Sequence, residues 1–171
     1  LKKKLLLIFG IGVSLIMFSS FTSAQFHELS FCGTHFSHAH DEYEHNRDLD
    51  GSMHQENSRG WMTAPVVFPD SASGMNVTRL SVSYRDNDAT YGMIVRLYKT
   101  DRWTGQSHMV AELDSDDYST SAAVQYMNLP KSQMQAYGID NNRYAWFLYL
   151  YFNDPDGNTS VKLHQVTVRY E

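Results

Sequence analysis

The chain has 171 residues and a single cysteine, which excludes an internal disulfide framework. Fourteen basic residues stand against 19 acidic ones, a formal net charge of −5, which argues against nucleic acid and anionic membrane as partners of the whole chain. Its length suffices for one domain with a real hydrophobic core.

The first element is a leader. Lys2, Lys3 and Lys4 precede an apolar run from Leu5 to Phe18, and Thr22-Ser23-Ala24 closes it with small residues. That order reads as a secretory signal peptide over residues 1–24, cleaved before Gln25. The run is shorter than the roughly 20 apolar residues of a membrane span. No membrane span is therefore expected after cleavage. Cys32 lies well past the run, and bulky Phe31 before it does not fit a lipidation site. Cleavage leaves 11 basic and 19 acidic residues, a charge of −8.

Residues 25–60 hold six of the eight histidines, few β-branched residues and no sustained apolar period, and read as a polar His-rich leader with little packed structure. Within "CGTHFSHAHDEYEH", His35, His38, His40 and His45 are candidate metal ligands. His38 and His40 share one side of an extended chain; His40/Glu44 and Asp41/His45 have helical i,i+4 spacing. Either arrangement suits Zn, Cu or Ni. The alternative is a solvated polar segment, since no spacing matches a closed site. A start at Gln25-Phe26-His27 would offer a second, weaker Cu or Ni site. Residues 46–57 resemble a Ca loop through Asn46, Asp48, Asp50 and Gly51, but Asn57 stands where a bidentate glutamate is needed.

From Trp61 onward, short apolar alternations are separated by turn residues. Strands are expected at Trp61–Phe68, with Pro65 pushing it to an edge, then at Val77–Arg85, Met93–Lys99, Met109–Leu113 and Ala123–Leu129. They continue with "RYAWFLYLYF" and Val161–Tyr170. The pattern predicts an all-β antiparallel sandwich of about seven to eight strands over residues 61–171. In the last strand Leu163 is out of phase with Val166, Val168 and Tyr170. A bulge at His164–Gln165 brings all four inward. The strand 144–152 is apolar on both faces and reads as central, with Phe147 taken as core and a cover expected over the other face.

The stretches "TRLSVSYRDND", "MIVRLYKTD", "GIDNNRYAWFLYLYF" and "VKLHQVTVRYE" resemble secreted bacterial β-sandwich domains of jelly-roll-like form, from about Trp61 to Glu171. The resemblance implies that fold and carries over no functional residues.

No nucleophile elbow, zinc-protease or phosphate-loop motif is present, and no carboxylate stands alone in an apolar run, so the chain is not expected to be an enzyme. Trp103, near a hairpin tip beside Asp101 and Arg102, is a candidate stacking platform for a sugar ring. An open outer face on strand 144–152 would move that platform to Trp146 with Leu148 and Leu150. The leading expectation is a non-catalytic exported binding or surface module whose ligand is a glycan or cell-surface polymer. Its location would be extracellular, at the cell surface, or periplasmic. The alternatives are a metal-binding exported protein using the leader, or a structural subunit of an extracellular homo-oligomeric assembly.

Overall fold

The computed structural model describes residues 25–38, 45–47, 52–55, 60–135, 137–153 and 160–171. The expected signal peptide, His40 and the central part of the calcium-like loop lie outside these residues. Among the described residues, no helix is long and apolar enough to cross a membrane.

Eleven strands carry the described fold: β1 His27–Cys32, β2 Ser37–His38, β3 His45–Arg47, β4 Met53–Gln55, β5 Gly60–Val66, β6 Val77–Asp86, β7 Met93–Asp101, β8 Ser107–Asp114, β9 Ser121–Pro130, β10 Tyr144–Phe152 and β11 Val161–Tyr170. Strands β5 to β11 fall where the alternation predicts them. They pair antiparallel into two sheets. One sheet runs β2-β5-β10-β7-β8; the other runs β3-β4-β11-β6-β9, with β1 also on β11. Only short 3-10 turns interrupt the strands, so the chain is an antiparallel β-sandwich.

The core lies between the sheets. Val161, Leu163, Val166, Val168 and Tyr170 of β11 face Trp146, Leu148, Leu150 and Phe152 of β10 across it, with Leu80, Val82 and Tyr84 of β6 and Val95 and Leu97 of β7 beside them. The β11 register slips between Leu163 and Gln165 against β6, leaving His164 as the extra residue. The expected bulge is therefore present, and it is what lets Leu163 join the core.

Two expectations are corrected. The leader is not a mere polar extension. β1 pairs with β11 along its length, from His27 opposite Tyr170 to Cys32 opposite Gln165. β4 takes the same flank of β11 beyond the bulge, Met53 lying opposite Leu163. Phe31, Phe36 and Met53 are core residues. A few well-spaced apolar residues suffice here because β11 offers an open flank whose backbone groups need partners.

The second correction concerns β10. Trp146 is 4% exposed and packs edge-on against Phe68 at 5.4 Å, whereas Phe147 is outward and half-buried. The neighbouring strand explains the choice. Met62, Ala64 and Val66 of β5 are buried and pair with Leu150, Leu148 and Trp146, so this parity faces the core. Pro65 lies beyond the two residues of β5 that β2 covers, so its missing N–H removes no bond to β2.

Candidate functional site

The outward residues of the five-stranded sheet form a grid fixed by register. One row is Trp61, Tyr151, Ile94 and Asp114. The next is Ser37, Thr63, Tyr149, Arg96 and Glu112. A third is Pro65, Phe147, Tyr98 and Met109, and beyond it lie Ala145, Thr100 and Ser107. Rows are about 6.7 Å apart along a strand and strands about 4.8 Å apart. Trp61, Tyr149 and Tyr98 thus run diagonally over three adjacent strands, with Tyr151 and Phe147 filling the corners.

The rings touch. Trp61 lies 4.2 Å from Tyr151 and 4.6 Å from Tyr149, centroid to centroid. Tyr98 stacks on Phe147 at 5.3 Å and meets Tyr149 edge-on at 6.1 Å. Each ring shields its neighbours' sides and leaves part of itself to solvent, so all five are half-buried. This desolvation pushes the Tyr149 phenol up to about 12, against the opposing pull of Arg96. Phenols in this range stay protonated and act as hydroxyl donors and acceptors.

The cation of this face is paired. Arg96 Nε donates to Glu112 Oε2, and the guanidinium lies 6.0 Å over the Tyr149 ring. Burial lowers the Arg96 pKa, but Glu112 together with Tyr98 and Tyr149 outweighs it and the value sits above the ordinary one. Thr100 and Ser107 hydroxyls bond each other at 2.7 Å. The surface is therefore aromatic and hydroxylated, with one neutralised ion pair and the Asp114 carboxylate at its edge.

The residues singled out from sequence fall elsewhere. Trp103 is 83% exposed at the β7–β8 hairpin tip. Its turn is held by Asp101, whose Oδ1 accepts from the Trp103 and Thr104 N–H groups at 2.9 and 3.2 Å and whose Oδ2 accepts from Arg143 Nε at 2.9 Å. Gly105, at φ +71°, supplies the left-handed position this turn requires. Trp146, Leu148 and Leu150 are core, so they cannot supply a platform. His35 sits in a 3-10 turn, where its Nδ1 accepts from the Cys32 N–H at 3.1 Å and lies 3.3 Å from Cys32 Sγ. His38 and His45 lie on β2 and β3, in different sheets. Among the described residues no group of three His, Cys, Asp or Glu side chains is placed to hold a metal. Asn46 and Arg47 pair with His54 and Met53 in antiparallel strands, which sets positions of the calcium-like stretch opposite one another.

Sequence reasoning missed Trp61 and assigned Phe147 to the core. One signal was available: the 145–151 parity carries two tyrosines and an alanine, while the 146–152 parity carries only Trp, Leu and Phe. Phenols tolerate water at one end, so the tyrosine parity is the outer one.

No family model matches the sequence, and no curated protein matches it. Solved structures do. The chain is similar to the CBM22-1–GH10 modules of endo-1,4-beta-D-xylanase 10B from Clostridium thermocellum, at 10% identity and TM-score 0.53, over 82% of this chain and 27% of that one. It is also similar to the C-terminal CBM6 of LamC, a marine laminarinase from Zobellia galactanivorans, at 12% identity and TM-score 0.46, over 83% of this chain and 98% of that one. A third is the xylan-binding module CBM15, at 6% identity and TM-score 0.47, over 85% and 95% of the two chains. At such identities the likeness is one of fold: this chain is a β-sandwich of the kind that carbohydrate-binding modules adopt.

Proposed function

We propose that this chain is an exported, non-catalytic module that binds a neutral glycan across the outer face of its five-stranded sheet. The observation that carries the reading is the contiguous cluster of Trp61, Tyr98, Phe147, Tyr149 and Tyr151, five aromatic rings on a face that the core does not use. A contiguous apolar patch on a solvent face marks an interaction surface. Ring faces stack on the C–H faces of sugars, and the phenols, Thr63 and Thr100 bond hydroxyls. The Arg96–Glu112 pair leaves no free cation in the cluster to attract an anionic sugar. The sandwich fold agrees with this reading, and the apolar run at residues 5–18 supports export.

Titration with soluble xylan and mixed-linked β-glucan, followed by tryptophan fluorescence, tests it. Trp61→Ala and Tyr149→Ala are each expected to weaken binding about tenfold or more, as central aromatic anchors do. Unchanged affinity in both variants overturns the assignment.

A further inference from the structure

The opposite side of the sandwich carries different chemistry. Outward residues of the sheet containing β11 are Arg79, Ser81, Ser83 and Arg85 on β6, and Lys162, His164, Gln165, Thr167 and Arg169 on β11. Register sets Arg79 directly opposite Arg169, and Arg85 directly opposite Lys162. Like charges directly opposite in an antiparallel pair oppose the pairing. Here two such pairs stand on one face of a chain whose net charge is −5.

Neutralisation is incomplete. Glu28 of β1 takes Arg169, at 2.6 and 2.9 Å, and the Arg169 guanidinium lies 4.0 Å over the Phe26 ring. Arg79 and Arg85 have no carboxylate partner among the described residues. Arg85 Nε is shielded from solvent and bonded to nothing. At the Arg79 end, Arg79, Lys131 and Arg169 line one cavity of about 330 Å³ with Ser132, Thr78 and Glu171. Between the two cation pairs lie hydroxyl and amide side chains and the imidazole of His164, over about 20 Å of strand.

We propose that this face is a second binding surface, for an anionic polysaccharide, with the cavity of Arg79, Lys131 and Arg169 receiving one carboxylate or sulfate group and Arg85 receiving another. Opposed cations without fold benefit are expected where a partner supplies the missing charge. An extended polymer with acidic groups along it spans both pairs, and its remaining hydroxyls meet Ser81, Ser83, Gln165 and Thr167. The surface is separate from the aromatic cluster and does not depend on it.

The test titrates the chain with polygalacturonate, dextran sulfate, uncharged dextran and oligothymidylate at low salt. Binding to polygalacturonate, dextran sulfate or both is expected, the first identifying a uronate and the second a sulfate ester, with none to dextran. Affinity should fall steeply with added salt. Arg79→Gln and Arg85→Gln are each expected to weaken binding about tenfold, as the loss of one charge-assisted contact does. Both should keep the wild-type Tm or raise it, because each removes an opposed cation. Trp61→Ala should leave this binding unchanged, which separates failure here from failure of the neutral-glycan reading. No binding to either acidic polysaccharide, affinities unmoved by both arginine variants, a lowered Tm in them, or tighter binding of oligothymidylate overturns the proposal.

Discussion

Along β10 the outward side chains are Ala145, Phe147, Tyr149 and Tyr151; along β11 they are Lys162, His164, Gln165, Thr167 and Arg169. Both strands are central, and both turn comparable apolar rows inward: Trp146, Leu148, Leu150 and Phe152 from one, Leu163, Val166, Val168 and Tyr170 from the other. The inner rows answer one demand, close packing, and meet it with similar residues. The outer rows answer no packing demand of the fold, and they diverge into rings on one side and cations with hydroxyls on the other. Both proposed binding surfaces lie on these outer faces, where side-chain choice is free of the core.

The most severe way to break the comparison is to remove β1 to β4. A chain starting at Gly60 loses Phe31, Phe36 and Met53 from the core and the hydrogen-bonding partner of β11 from Gln165 to Tyr170. It also loses Glu28, so Arg169 joins Arg79 as an uncompensated cation. The expected outcome is no cooperative unfolding transition by circular dichroism. A shortened chain with a sharp wild-type transition would show that the leader strands are dispensable.

Next in size is the contrast between adjacent positions of β10. Trp146→Ala empties a core site and should cost about 3–5 kcal/mol in urea unfolding. Phe147→Ala removes an outer ring stacked on Tyr98 and should cost about 1 kcal/mol or less. Equal costs would mean that the aromatic face is covered and not available to a ligand.

How much of this could be read from the sequence follows from what each feature depends on. The bulge was legible because Leu163 breaks a strict period of two within one strand. The seven strands after Gly60 were legible for the same reason. Which parity of β10 points inward was not, since both are apolar and the answer comes from β5, about 85 residues away in the chain, through the register of Leu148 with Ala64. The strands of residues 25–60 were hidden because two to six residues give no period to count, and their pairing with β11 is long-range. The cation face was hidden likewise: Arg79 and Arg169 are unremarkable until register sets them opposite one another. His38 and His45 looked close in sequence, and the fold assigns them to different sheets.

A smaller effect probes the aromatic face alone. Trp61 and Tyr149 are in contact, and desolvation holds the Tyr149 phenol near 12. Trp61→Ala admits water to that ring, so the ultraviolet titration of its phenol should move toward the ordinary value of 10.0. An unmoved titration would mean that neighbours other than Trp61 shield it, and that the cluster is less of a unit than its contacts indicate.

The smallest effect concerns the hairpin at the margin of the aromatic face, where Trp103 stands. Arg143, then the Trp103 and Thr104 amides, hold the Asp101 carboxyl below its ordinary 3.8. These contacts favour the ionised form, so their stabilisation is complete above 3.8 and is lost as the pH falls through the lower folded-state value. Asp101→Asn keeps the shape and removes the charge. It should lower the Tm at pH 7, and the gap from wild type should close as the solution is acidified below 3.8. A gap that stays constant with pH would mean that the side chain acts by shape and hydrogen bonding, without its charge. The same variant tests the place of Trp103. The indole has no ring contact with the Trp61–Tyr149 cluster, so loosening its turn should leave neutral-glycan affinity as it was. A loss of affinity in parallel with the loss of Tm at pH 7 would extend the binding surface from the strand face to the hairpin tip.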